Sequence, residues 1–317
     1  MLAELKFVQG AVAKKDLMPA LTHFRIEDGH VRSFNGTLAI SSPIAFDIDC
    51  TPKGIPFVKA IQNCKETVTM KLTPTGKLSI KSGKFKALIP CVDTETPHVI
   101  PEGKMHEVDG DELLRAFKLL LPLVGDDASK PWSNGLLLKG QSAFATNNIV
   151  IAQYWLGVEF PVVCNVPAMA VKEVLRVKEP PIGIQIAENS ITFHYKDKRW
   201  IRTALYDTAW PEVERILDVP SNAVPIDEKL YEALDIIKPF TDDMNRVYIK
   251  GGKVMTHLDD SDGASYEVEG LVIDGVFSRD MLVLLKGVAT TADFDLYPKP
   301  SQFFGPKIRG AIVGMRV

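Results

Sequence analysis

The sequence is poor in cysteine, in aromatic residues and in long apolar runs. Its four cysteines form no Cys-x-x-Cys pair, which is typical of reduced thiols and not of a disulfide scaffold. The longest apolar run, around residues 119–124, contains Pro122 and falls far short of the ~20 residues that span a bilayer. The first residues also lack the basic and apolar regions of a secretory signal. We therefore expect a cytoplasmic protein that contacts no membrane.

Neither sign of charge predominates. The chain has 37 Lys and Arg against 40 Asp and Glu among its 317 residues, a net charge of −3. A protein that binds DNA over its whole surface would be basic, but a local basic patch balanced by acidic surface elsewhere is compatible with this total. Net charge therefore does not decide whether the protein binds nucleic acid. The length predicts two or three globular domains.

Signatures of catalysis and of metal binding are absent from the sequence. It contains no Walker A, Gly-x-Ser-x-Gly or His-Glu-x-x-His pattern, and its six histidines lack ligand spacing. Residues 259–263 suggest an EF-hand loop, but Leu258 stands where the first loop position requires a carboxylate. We predict no enzyme, no metal and no cofactor. Because carboxylates are plentiful, a hydrolase with a dispersed acid–base pair stays open as an alternative.

Internal repetition is the most informative feature. The pattern Asp-Thr-x-x-Pro at residues 93–97 recurs at residues 207–211. Each copy follows a helix-like stretch and alternating apolar residues, which predict antiparallel strands with one buried face. A weaker third copy begins near Asp227. The pattern predicts an α+β protein of three repeated domains, each with two helices backed by antiparallel sheet, at 1–105, 106–218 and 219–317.

Basic residues accompany all six predicted helices. A solvated face explains any one of them, but their recurrence on every helix favours one shared basic surface. Such a surface binds phosphates without reading bases. The residues are Lys6, Lys14, Lys15, Lys53, Lys59, Lys65, Arg115, Lys118, Lys172, Arg176, Lys178, Lys229, Lys238, Arg279 and Lys286.

Four segments resemble one known family. Residues 145–152, Ala-Thr-Asn-Asn-Ile-Val-Ile-Ala, are similar to its Ala-Thr-Asp-Gly-His-Arg-Leu-Ala segment, and residues 12–21 resemble its opening helix and the Leu-Pro-Ile-Leu that follows. Residues 206–217, with Trp210-Pro211, resemble its Phe-Pro segment, and residues 312–317 resemble its Val-Met-Pro-Met-Arg-Leu ending. The sequence therefore resembles the bacterial DNA polymerase III beta subunit, the sliding clamp, as a divergent member. Bacterial and phage origins both stay open.

The resemblance implies three DNA-clamp domains in each chain, and two chains that close head-to-tail into a homodimeric ring around duplex DNA. It implies a processivity factor in DNA replication, which binds the polymerase and the clamp loader through a hydrophobic pocket for short linear motifs. The pocket residues would be Thr146, Asn148, Ile149, Val150, Ile151, Pro220, Val313, Gly314, Met315, Arg316 and Val317. The DNA-binding residues would be Lys14, Lys15, Lys59, Lys130, Lys172 and Arg176.

Two departures from the family bear on the pocket. Val150 replaces an arginine and Gly314 replaces a proline, so we expect a more apolar pocket with a different peptide preference. Residues 149–151 could equally form a plain buried strand, and each lysine could simply be solvated. A β-rich structural protein with repeated domains, such as a virion component, is the alternative function.

Overall fold

Six of the seven helices in the described residues occur as three pairs along the chain, and the seventh is a single short turn. The computed structural model describes residues 1–15, 18–46, 48–93, 97–258 and 262–316. Carboxylates begin two of the helices: Asp109 Oδ1 accepts the Glu112 amide at 3.0 Å, and Asp227 Oδ1 accepts the Lys229 amide at 2.9 Å. The helices are α1 (Leu2–Val8), α2 (Gly54–Gln62), α3 (Gly110–Leu120), α4 (Ala168–Val177), α5 (Glu214–Leu217), α6 (Glu228–Ile237) and α7 (Arg279–Val283).

The strands fill the intervals between the helices. They are β1 (Arg25–Glu27), β2 (His30–Phe34), β3 (Leu38–Pro43), β4 (Thr69–Leu72), β5 (Lys77–Ser82), β6 (Phe85–Pro90), β7 (Lys104–His106), β8 (Gly135–Lys139), β9 (Ser142–Thr146), β10 (Val150–Trp155), β11 (Cys164–Pro167), β12 (Gly183–Ala187), β13 (Ser190–His194), β14 (Trp200–Ala204), β15 (Val224–Pro225), β16 (Arg246–Lys250), β17 (Lys253–Met255), β18 (Ser265–Glu267), β19 (Gly275–Ser278), β20 (Thr291–Asp293), β21 (Ser301–Gly305) and β22 (Ile308–Ile312).

The element order repeats three times, which confirms the predicted α+β fold. The first helices of the three repeats, α1, α3 and α6, each continue into a 3₁₀ turn, at Gln9–Ala11, Leu121–Leu123 and Lys238–Phe240. Strands follow, then a second helix (α2, α4 or α7), then three more strands. In the third repeat β19 leads directly into the second helix, because Phe277 and Ser278 end the strand and α7 starts at Arg279.

In the described part of the chain the strands form four antiparallel sheets, and the two larger ones each combine strands from two repeats. A seven-stranded sheet has the order β1-β2-β3-β14-β13-β12-β7, and an eight-stranded sheet has the order β11-β8-β9-β10-β22-β21-β20-β15. Ile40 opposite Ile201 and Ala152 opposite Gly310 set the register where the repeats join. The strands β4-β5-β6 and β18-β17-β16-β19 form two smaller sheets, each built from a single repeat.

The chain divides into two compact units, each with its own core. Unit 1 comprises Met1–Leu114 and Met169–Leu205, and its core includes Phe24, which packs edge-on against Phe57. Unit 2 comprises Arg115–Ala168 and Tyr206–Val317, and its core includes Phe277, Phe294 and Phe303.

Both units draw on the middle repeat, so they divide the chain differently from the repeats. The domain boundaries near residues 105 and 218 stay a prediction. Within the described ranges, no helix is long and apolar enough to cross a membrane.

Candidate peptide cleft and basic helix surface

A tight turn between β9 and β10 carries the segment that resembles the clamp family. The Thr146 hydroxyl donates to the Val150 carbonyl at 2.8 Å and accepts the Asn148 amide at 3.0 Å. Asn147 Oδ1 accepts the amides of Ile149 and Val150, at 3.1 and 2.8 Å. Asn148 has a φ of 71°, a left-handed conformation that asparagine tolerates better than most residues. These side-chain bonds fix the turn and leave Ile149 at its tip.

The five predicted cleft residues in this segment divide by exposure. Ile149 is 39% exposed and Asn148 is also exposed, whereas Thr146, Val150 and Ile151 are buried. Val150 pairs with Ile312 inside the eight-stranded sheet. The buried three therefore form the frame beneath the turn, and Ile149 and Asn148 are the side chains within a ligand's reach.

Beneath this turn lies an apolar cluster, to which Ile151 belongs. The linker after β14 contributes Val213 and Leu217, and Trp210 packs against the cluster. The cluster consists of Leu137, Phe144, Ile151, Val213, Leu217 and Ala311. At the start of β10, Val150, Ile151 and Ala152 are therefore all buried, although successive residues point to opposite faces of the sheet.

The C-terminal tail runs beside the turn. The Val313 amide donates to the Ile149 carbonyl at 2.9 Å, and the Met315 amide donates to the Val276 carbonyl at 2.7 Å. Val313 is 42% exposed, Gly314 and Met315 are half-buried, and Arg316 is exposed. The tail therefore adds an apolar side chain, Val313, next to Ile149. Val317 lies outside the described residues.

Helix α5 and the residues just after it carry two exposed apolar side chains that the sequence analysis missed. Gln302 Nε2 donates to the Ile216 carbonyl at 2.9 Å, and Arg309 pairs with Asp218 at 2.9 Å, which fastens this linker to β21 and β22. Ile216 and Val219 are each 39% exposed, and Val219 precedes the exposed Pro220. The available signal was the spacing of Ile216 and Val219, which follow the apolar Trp210 and Val213 in the same linker.

An ion pair also ties α5 to the sheet. Lys139 Nζ lies 2.5 Å from Glu214 Oε1, and this hydrogen bond lowers the pKa of the Glu214 carboxyl. Helix α5 is thus held at its first residue and at the residue that follows its last.

The predicted DNA-binding residues are exposed, but they are not all alike. Lys59 and Lys172 extend from helices α2 and α4, whereas Lys14 and Lys15 lie beyond the end of α1 and Lys130 begins a 3₁₀ turn. Five of the six residues belong to unit 1, and Lys130 belongs to unit 2.

Arg176 differs because protein groups occupy its guanidinium. Its Nε donates to Glu173 at 2.7 Å, its Nη1 donates to the Lys6 carbonyl at 3.1 Å, and its Nη2 donates to the Phe7 carbonyl at 2.7 Å. Arg176 therefore joins α4 to the C-terminal end of α1. Its contact with DNA stays a prediction.

One expected member of the basic surface lies in the interior instead. Arg279 is 5% exposed and pairs with Asp235 and Asp280, at 2.5 and 2.9 Å. Its Nε donates to the Leu234 carbonyl. The side chain fixes α7 to α6, so it cannot contribute to a surface that holds phosphates.

The described residues include no group of three His, Cys, Asp or Glu side chains that could hold a metal ion. Of the rejected EF-hand segment, residues 259–261 lie outside the described residues. The four cysteines are unpaired, and burial raises the pKa of the Cys164 thiol to about 11.

Solved structures share this fold along the whole chain, although no protein-family model and no curated protein matches the sequence. A sliding clamp from Pseudomonas aeruginosa bound to griselimycin superposes with a TM-score of 0.83 at 16% identity. A griselimycin-bound clamp from Bartonella birtlesii gives 0.85 at 15%, and one from Bacillus subtilis gives 0.84 at 15%. Each alignment covers 100% of this chain and 97% of the other. The chain therefore has the fold of the DNA polymerase III beta sliding clamps.

Proposed function

We propose that the protein is a sliding clamp: two copies close head-to-tail into a ring that encircles duplex DNA and tethers a DNA polymerase. The structures with the same fold, which are named as sliding clamps, support this proposal. In it the three repeats, at 1–105, 106–218 and 219–317, act as the domains of the ring. Strong support also comes from the two small sheets.

Inside the chain, successive repeats are joined by equivalent strands. β3, the third strand after the first helix of repeat 1, pairs with β14, the third strand after the second helix of repeat 2. β10 and β22 join repeats 2 and 3 in the same way. The strands equivalent to these at the two ends of the series are β18 and β6, and each lies at the edge of a small sheet.

Open edges of this kind pair readily with another chain. If β18 of one copy pairs with β6 of the next, the two small sheets merge into one sheet of the same kind as the seven-stranded sheet. Such a contact joins two different surfaces of the protein, head to tail. It produces a closed ring when the rotation from one copy to the next brings the last copy back to the first. Two chains then supply six repeats.

The edge charges match this pairing. Lys84 and Lys86 lie on or beside β6, and Glu267 and Glu269 lie on or beside β18; all four side chains are exposed. Opposite charges across paired strands stabilise the pair and favour the correct partner.

The ring would hold DNA by its topology and not by tight contacts. Exposed lysines such as Lys59 and Lys172 attract phosphates without reading bases, so the ring stays free to slide. Ile149, Val313 and Ile216 offer apolar contacts to an extended segment of a polymerase or a clamp loader. No step in this function makes or breaks a covalent bond, so the protein needs no catalytic site.

Negative-stain electron microscopy and light scattering of the purified protein at micromolar concentration test the proposal. We expect closed rings with six lobes, a central hole and the mass of two 35.0 kDa chains. Monomers at every concentration would contradict ring closure by the chain alone. Filaments or sheets would favour a structural protein.

A further inference from the structure

Tyr297 lies directly against the C-terminal tail. Its hydroxyl donates to the Met315 carbonyl at 2.9 Å. Its ring packs against Phe277, with 5.7 Å between ring centroids, and Phe277 packs in turn against Phe294. Because Phe277 is fully buried, the Tyr297 ring rests on the core of unit 2. A tyrosine held in this way is a rigid support, with few conformations open to it.

Two glycines make room for this ring. A Cβ on Gly314 would lie 2.5 Å from two carbons of the Tyr297 ring, and a Cβ on Gly275 would lie 3.1 Å from a third. Since Gly314 lacks a positive φ, the close approach of the ring explains this glycine better than backbone conformation does. Gly314 is also a position at which the chain departs from the family it resembles.

The position of the tail decides where Val313 lies. The tail is held by the Val313 amide on Ile149, the Met315 amide on Val276 and the Met315 carbonyl on Tyr297. These bonds place Val313 beside the exposed Ile149, in the proposed peptide cleft. Loss of the Tyr297 contact would leave the tail attached by its backbone amides alone.

We infer that Tyr297 is a positioning residue for the peptide cleft: its ring and hydroxyl fix the tail, and the tail presents Val313 to the bound peptide. This inference rests on the proposed function. Tyr297 need not touch the peptide itself. Gly314 contributes to the same positioning, because its lack of a side chain lets the Tyr297 ring pack against the tail. The inference assigns a role to a residue outside the segments that resemble the clamp family.

The first test compares Tyr297→Phe with the wild type, using griselimycin as the probe. Removing the hydroxyl is expected to weaken griselimycin binding about three- to tenfold, the effect of losing one hydrogen bond. Hydrogen exchange at residues 313–316 should become faster, while the unfolding midpoint stays near that of the wild type. Tyr206→Phe is the matched control, because it removes an exposed tyrosine hydroxyl in the same unit.

The second test is a double-mutant cycle. Gly314→Ala should weaken binding at least as much as Tyr297→Phe, because the new methyl group overlaps the ring. In Tyr297→Ala the ring is gone, so adding Gly314→Ala should cause little further loss. Such non-additivity is the signature of two residues that act through one contact.

The outcomes separate the two proposals. If Tyr297→Phe binds griselimycin as tightly as the wild type does, the positioning role is overturned. It is also overturned if the variant only lowers the unfolding midpoint and leaves both the affinity and the hydrogen exchange of the tail unchanged. Additive losses in the cycle would also overturn it. A wild-type protein that fails to bind griselimycin, while the tail still exchanges faster in Tyr297→Phe, would instead contradict the proposed cleft.

Discussion

At the scale of single residues, Arg279 shows what a buried guanidinium contributes. Its donors reach a backbone carbonyl on α6 and two carboxylates, Asp235 and Asp280, that are themselves partly exposed. Removing the guanidinium leaves the two carboxylates unpaired but still in contact with water. The loss of folding free energy is therefore smaller than for a fully buried ion pair.

We therefore expect Arg279→Ala to lower the free energy of unfolding by about 2 kcal/mol, since charged hydrogen bonds are each worth ~1.5–3 kcal/mol. Urea denaturation checks this value. Lys229→Ala, which removes an exposed cation from neighbouring α6, should change the free energy of unfolding by less than ~0.5 kcal/mol. Equal effects in the two variants would contradict the interior role of Arg279.

Residue-level prediction of the cleft was limited by burial on two faces. Alternation along a strand separates a core face from a solvent face, but at the start of β10 the successive residues Val150, Ile151 and Ala152 are all buried. The sequence therefore could not separate the buried Val150 and Ile151 from the exposed Ile149. Arg279 was wrongly assigned to the basic surface because arginine in a helix commonly faces solvent.

At the scale of elements, α1 and α4 are joined by one side-chain group. Arg176 and Glu173 on α4 pair with each other, and the guanidinium caps the last carbonyls of α1. Positive charge at a helix C-terminus also stabilises the helix dipole. Gly10 follows α1, and a Cβ there would overlap the Glu173 carboxylate. These two residues of α4 thus have a structural task, whereas the side chain of the neighbouring Lys172 is exposed.

The two basic residues of α4 should therefore separate in experiment. Arg176→Ala is expected to lower the free energy of unfolding by about 1–2 kcal/mol, through the loss of its hydrogen bonds. Lys172→Ala should leave stability unchanged and reduce the slope of log affinity for duplex DNA against log salt by about 0.9. Urea denaturation and fluorescence anisotropy on a labelled duplex measure the two effects. A smaller salt slope in Arg176→Ala, with stability intact, would reverse this assignment.

Element prediction from the sequence worked where local signals exist. Period-two alternation predicted strands before the second Asp-Thr-x-x-Pro copy, where β12 and β13 lie, and Asp227 is the residue before the start of α6. The pairing of β3 with β14 and of β10 with β22 was beyond reach, because strands from different repeats carry no shared local signal. The short α5 was missed too, since four residues are too few for a helical pattern.

At the scale of the whole molecule, the most informative feature is the pair of small sheets. Each has an unpaired edge strand, β6 or β18, whose equivalents elsewhere in the chain pair between repeats. The shared pattern within the chain is the reason for proposing β18 and β6 as the junction between copies, and the two edges carry opposite charges. Charge pairs at an interface rim add little affinity singly, but like charges brought face to face cost much more. Reversal of charge is therefore a sharper test than removal.

Lys84→Glu combined with Lys86→Glu should place like charges along the β6–β18 contact and weaken self-association at least tenfold. Adding Glu267→Lys and Glu269→Lys to the same chain restores opposite charges, so the fourfold variant should associate again. Lys77→Glu, on the central strand β5 of the same sheet, serves as the control and should leave association unchanged. Sedimentation velocity across protein concentration measures all four proteins. If the double variant still forms dimers, or if the fourfold variant stays monomeric, these two edges do not meet, and the ring must close elsewhere or not at all.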